Sequence, residues 1–405
     1  MSGGKYQSLE TKGKRVMGNQ FGKVTVYGLL FLLISCLEPY QPPEIAENIN
    51  ILVVDGFVNS TAGSASVRLS HTNPISSTTS GEPETDAAVS IQDENGTSFT
   101  LTEQPSGYYT AEGMDINANA RYRLVVERTD NQRVVSDFID LKTSPPIDSV
   151  TWGSEDDGLN IFVNTHDASG EARYYYWDYV ETWEYISPLF SYLKWENKMP
   201  ASRGPSEGIY RCWRTVPSSK ITVGTSLHLE ENVIQGFPVA FIPAGSSKIS
   251  ILYSVLVRQR ALSKEEYDFW KELQKTTENL GSLFDPLPYQ VKGNLRSEGS
   301  PSVEVLGMFS GGSVQEKRLF ISTGDVPFHL KNFPRPFCQI DTVCFNKNPA
   351  GDPRCRLGME DMSGSESLLE LLGQGGPPWG FTISTPDCVD CRTQGGVLTR
   401  PDFWR

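Results

Sequence analysis

Between residues 50 and 143 the chain is cut into short β-prone runs separated by turn residues, a pattern that points to a sandwich of short strands. Residues 51–58 form a continuous β-prone run, while 67–70 and 89–92 alternate apolar and polar side chains. Asp93-Glu94-Asn95-Gly96 then supplies a hairpin turn before 98–101. Runs at 107–110, 121–127 and 133–138 bring the total to about seven strands in about 95 residues, the density of an immunoglobulin-like sandwich. A Cys…Trp…Cys signature is absent, so an antibody-type domain is excluded. Thr143-Ser144-Pro145-Pro146 reads as a linker.

A second β-rich domain is expected over 147–337, starting with strands at 149–152 and 159–164 around a turn at 155–158. Residues 174–195 are the densest aromatic stretch, 10 of 22 being Phe, Tyr or Trp. The period of two places Tyr175, Trp177, Tyr179, Trp183 and Tyr185 on one strand face. Such a face is either sandwich core or a stacking platform for a sugar or peptide, and core is the commoner use. Residues 251–258 read as a buried strand. One main helix is expected over 264–280, with Ser263 as N-cap, Glu266 closing a capping box and Gly281 at the C-terminal end. Residues 303–308 and 317–322 read as a strand pair turned at Ser310-Gly311-Gly312-Ser313, and 365–372 as a short helix.

The N-terminus reads as an address. Lys12, Lys14, Arg15 and Lys23 precede an apolar run at 24–34 that is too short to span a bilayer, which takes about 20 residues in a helix. The run ends Leu33-Ile34-Ser35-Cys36, matching a bacterial lipobox, so 1–35 reads as a lipoprotein signal peptide and Cys36 as the lipidated residue. A plain secretory signal is the alternative, and Met17 is a second possible start. Residues 36–49 carry Pro39, Pro42 and Pro43 and read as an extended tether.

Export changes the meaning of the remaining cysteines: Cys212, Cys338, Cys344, Cys355, Cys388 and Cys391. An even set in an oxidising compartment implies disulfides, although sequence does not choose among the fifteen possible pairings. Five of the six lie in 338–405, a Gly- and Pro-rich, loop-rich segment with little core of its own, which cross-links would staple. Cys388 and Cys391 have zinc-ligand spacing, but no second pair accompanies them.

Lys+Arg 36 against Asp+Glu 49 gives a net charge of −13, which argues against nucleic acid as a partner. His71, His166, His228 and His329 are scattered, and zinc-protease, serine-elbow and phosphate-loop motifs are absent. The reading is therefore non-catalytic, without cofactor or metal; a hydrolase whose paired carboxylates lie far apart in sequence is the enzymatic alternative.

Several segments together resemble the Bacteroidota lipoprotein family catalogued as domain of unknown function 4249. They include Cys36-Leu37-Glu38-Pro39-Tyr40, Leu52-Val53-Val54-Asp55-Gly56, the stretches 177–185 and 253–259, and Tyr267-Asp268-Phe269-Trp270. Gly293-Asn294, Val305-Leu306-Gly307-Met308-Phe309, Cys388-Val389-Asp390-Cys391-Arg392 and Pro401-Asp402-Phe403-Trp404 complete the series. The resemblance implies no known activity. It implies an outer-membrane lipoprotein, held by its N-terminal lipid on the cell-surface or periplasmic face, that accompanies a TonB-dependent barrel. A stand-alone surface lipoprotein that binds glycan or peptide is the alternative.

Overall fold

A computed structural model describes residues 50–73, 81–229, 231–278, 291–299, 303–331, 337–346, 355, 357–373 and 375–405. The protein is mainly β, with one main helix and disulfides in its C-terminal region.

The N-terminal sandwich has two sheets. One runs in the order Val305–Gly312, Leu52–Asn59, Ser64–His71, Tyr108–Ala111 and Thr102–Gln104. The other runs Leu295–Glu298, Arg133–Ser136, Arg121–Glu127, Ala88–Asp93 and Ser98–Thr100, with Ile139–Asp140 beside Arg121–Glu127. Alternation makes the core: Leu52, Val54 and Val58 point inward from the first strand and meet Leu69, Ile91, Leu124 and Phe309.

The sandwich is not confined to 50–143, as the sequence suggested. Leu295–Glu298 pairs antiparallel with Arg133–Ser136, and Val305–Gly312 pairs in parallel with Leu52–Asn59. Gly307 makes the parallel pairing possible. Its φ is +113°, and a Cβ there would lie 1.8 Å from the Val54 carbonyl oxygen. The expected hairpin at 310–313 is likewise absent. Val305–Gly312 completes the sandwich, whereas Val314–Ser322 pairs with Leu252–Leu262 in another sheet. Two glycines read as a turn because side-chain pattern says nothing about which sheet a strand joins.

The second region packs two sheets face to face. Ile147–Glu155, Gly158–His166 and Val233–Pro243 form one. Arg211–Pro217, Tyr174–Ile186, Leu252–Leu262 and Val314–Ser322 form the other, with Thr222–Thr225 also pairing with the aromatic strand. Leu159, Ile161 and Val163 from the first meet Trp177, Tyr253 and Val257 from the second in one continuous core.

The helix spans Lys264–Glu278, and its expected C-terminal glycine, Gly281, lies outside the described residues. The capping box is formed: the Glu266 backbone N–H donates to Ser263 Oγ at 3.1 Å, and the Ser263 N–H donates to the Glu266 carboxylate at 2.7 Å. Tyr267 and Trp270 set the helix against the aromatic strand, their rings 4.9 Å from Tyr174 and 5.1 Å from Tyr176.

The C-terminal segment has more order than its composition implies. Leu357–Gly358, Asp341–Cys344, Gly380–Ser384 and Ser367–Leu372 form a sheet with a small core around Val343, Leu368 and Phe381. The short helix expected at 365–372 is therefore a strand; Leu368 and Leu369 are buried there by sheet pairing and neighbouring elements rather than by a helical face. The hairpin of Leu193–Glu196 and Met199–Ser202 packs onto this core through Leu193 and Trp195.

Candidate binding cleft

The sandwich and the second region meet on the outward faces of two sheets, and a cleft of about 430 Å³ opens between them. Strand alternation sets its floor. With Val54 and Val58 turned into the sandwich, Asp55, Phe57 and Asn59 turn out, beside Ser66 and Arg68 of the neighbouring strand. The facing wall comes from the even-numbered positions of the aromatic strand and its neighbour: Tyr176, Asp178, Arg258 and Arg260. Trp270 closes one side from the helix.

Arg260 organises the centre. Its guanidinium lies 4.3 Å from the Tyr176 ring centroid and 4.6 Å from that of Phe57, so it is held between a ring of the second region and a ring of the sandwich. Asp178 pairs with Arg258 and, at 3.5 Å, with Arg260. Arg68 lies over the Tyr108 ring at 5.4 Å on the opposite rim.

Asp55 sits opposite Arg68 in the strand register. It stays open to water, yet protein surrounds the cleft floor, and desolvation there raises its carboxyl above the ordinary 3.8. Arg260 and Arg68 oppose that rise through space, without a hydrogen bond. Burial likewise raises the Tyr176 phenol.

The residues singled out in the sequence lie elsewhere. Cys36 is outside the described residues. The aromatic face is not a stacking platform: Tyr175 and Trp177 are fully buried, Trp183 and Tyr185 are 7% and 5% exposed, and Tyr179 packs against the same core. Their ring faces are spent on protein, Trp177 lying 4.4 Å from Phe237 and 5.5 Å from Tyr175. The alternate face of the same strand, carrying Tyr176 and Asp178, is the one that reaches the cleft.

All six candidate cysteines are bridged, as Cys212–Cys391, Cys338–Cys388 and Cys344–Cys355. Cys388 and Cys391 thus bond to different partners, which removes them as a zinc pair. Among the described residues no group of three or more His, Cys, Asp or Glu is placed to hold a metal ion. His71 contacts Glu84 at 2.6 Å and His166 contacts Asp148 at 2.8 Å, both away from the cleft.

Sequence reasoning missed the cleft because its residues come from five separate segments. A signal was nevertheless present: Asp55 interrupts the β-prone run 51–58, and Arg258 lies in the run 251–258 that reads as buried strand. A charge inside an apolar β run marks a face turned away from the core.

Fold and cleft together define a β-rich, disulfide-bridged protein with a half-open cleft of small-ligand size. The chain belongs to the family described as Domain of unknown function (DUF4249), whose profile matches residues 38–318. No curated protein matches it. Every residue lining the cleft, from Asp55 to Glu316, falls inside the matched stretch.

Proposed function

We propose that this protein is an exported, lipid-anchored, non-catalytic lipoprotein of the outer membrane that serves a TonB-dependent transporter. The observation that carries the anchor is Ser35-Cys36 at the end of a basic, then apolar, leader. Support for export comes from the three disulfides, which persist in oxidising compartments and are rare in the cytosol. Among the described residues no helix is long and apolar enough to cross a membrane, which is compatible with attachment through a lipid. The transporter role rests on the family resemblance. Its test is co-purification: membranes solubilised in mild detergent should yield the protein together with a β-barrel receptor, and a protein that elutes alone would remove the transporter from the reading. Lipidation is tested separately by Cys36→Ser, which should move the protein to the soluble fraction.

A second reading, a stand-alone surface protein that binds glycan or peptide, is favoured by the cleft. Its mixture of rings and fixed polar groups in a concavity between two folded units is the usual make-up of a small-ligand site.

A further inference from the structure

We propose that the cleft between the sandwich and the second region binds a neutral mono- or disaccharide. The proposal rests on reading the cleft as a binding site and is independent of the anchor and the transporter.

Size comes first. At about 430 Å³ the cleft lies near the lower end of the roughly 300–1,000 Å³ of small-ligand pockets. A folded domain does not fit inside it, whereas one or two sugar rings do.

Charge excludes a strongly ionic ligand. The lining holds Arg68, Arg258 and Arg260 against Asp55, Glu112, Asp178 and Glu316, one charge from neutrality. Asp178 is already paired with two of the arginines. An anion gains from the guanidinium groups what it loses against the carboxylates, and a cation meets the reverse.

Backbone pairing disfavours an extended peptide. Peptides commonly add to a sheet through an open strand edge. The strands carrying Asp55, Arg68, Tyr176 and Arg258 each lie between two hydrogen-bonded neighbours, so these walls are sheet faces, and only Val314 and Glu316 come from a strand, Val314–Ser322, at the edge of its sheet.

What remains is a set of planar, fixed donors and acceptors interleaved with rings. Carboxylate and guanidinium forks match pairs of adjacent hydroxyls, which both donate and accept. Arg260 is held by two rings and Arg258 by Asp178, so little conformational freedom is left to lose on binding. Half-buried Trp270 and 42%-exposed Tyr108 offer ring surface to the apolar C–H face of a pyranose.

The test is titration of the full chain, followed by tryptophan fluorescence and calorimetry. The probes are maltose, cellobiose, lactose and diacetylchitobiose, compared with a uronic-acid disaccharide and trialanine. At least one neutral sugar should bind with a millimolar or tighter Kd and perturb the fluorescence. Trp270→Ala should weaken binding tenfold or more. Because that change also touches helix packing, Arg68→Gln on the exposed rim serves as a second variant: it should weaken binding while leaving the melting temperature unchanged. Binding of only the uronic acid or the peptide, or of no probe at millimolar concentration, overturns the proposal. So does neutral-sugar binding that both variants leave intact. None of these outcomes alters whether Cys36→Ser releases the protein from membranes.

Discussion

Trp177 donates its indole N–H to the side-chain carbonyl of Gln259 at 2.9 Å, and both side chains are fully buried. Gln259 spends its own N–H groups on the Pro145 carbonyl at 2.8 Å and on Thr165 Oγ1 at 3.1 Å. A single amide therefore ties the aromatic strand, the facing sheet and the segment leaving the sandwich. Gln259→Leu orphans the indole N–H, and each buried group left without a partner costs about 1–3 kcal/mol. Trp177→Ala should cost more, about 3–5 kcal/mol, because a cavity is added. Urea denaturation of the two variants checks both values.

Glu84 should make sandwich stability depend on acid. Burial raises its carboxyl, but hydrogen bonds from Arg128 at 2.8 Å and from His71 outweigh that and hold it below the ordinary 4.5. A depressed carboxylate contributes its full share above the unfolded value and loses it as pH falls through the folded value. The stability gap between the parent and Glu84→Gln should thus be constant above about pH 5 and shrink below 4.5. Denaturation midpoints across a pH series measure it; a gap unchanged down to strongly acid pH would rule the pair out as the cause.

Reduction should loosen the C-terminal segment first. Cys212–Cys391 joins residues 179 apart, and the Tyr185 hydroxyl donates to the Cys391 carbonyl beside it at 2.6 Å. Cross-links of this kind typically contribute about 2–4 kcal/mol. Paired Cys212→Ala and Cys391→Ala changes should lower stability by that amount. Limited proteolysis with and without reductant should show earlier cutting within 338–405 than in the cysteine-free sandwich. Equal resistance in the two samples would show that the bridges contribute nothing.

A fragment of residues 50–143 should fail to fold. Without Val305–Gly312 the strand Leu52–Asn59 loses one neighbour, and without Phe309 the core loses a fully buried ring. An exposed, apolar strand edge then invites association. A monomeric fragment with a cooperative melt would contradict this.

Much of the architecture was legible because periodicity is local. Alternation marked the short strands of the sandwich, and Ser263 with Glu266 marked the helix start to the residue. The inward face of the aromatic strand followed from the same period of two, although Trp177 as core and Trp177 as platform give identical patterns and only the packing of Phe237 separates them. What the pattern does not encode is partnership. Nothing local distinguishes a glycine pair in a turn from Gly311 and Gly312 inside a strand. The linker was misjudged for the same reason. Ser144 is buried and donates twice to Ser313, from its N–H to Oγ and from its hydroxyl to the carbonyl, each at 2.7 Å, while its hydroxyl accepts from the Ala261 N–H. Thr143-Ser144-Pro145-Pro146 has the composition of a tether and the environment of a clamp. The cleft shares this property, since Asp55, Arg68, Tyr176 and Arg260 meet only through tertiary pairing.

The parallel pairing of Leu52–Asn59 with Val305–Gly312 also sets a timetable. Val305 follows its register partner Leu52 by 253 residues. During synthesis the first strand emerges long before that neighbour exists, and the whole second region is made in the interval. Contacts so distant along the chain form slowly, because the loop must close before they can reward it. The N-terminal part is therefore made first and finished late: its near-N-terminal strand waits with one side open. That delay keeps the leading end of the chain incompletely folded while it is still being made, the condition a polypeptide needs if it is to be threaded across a membrane before it closes up.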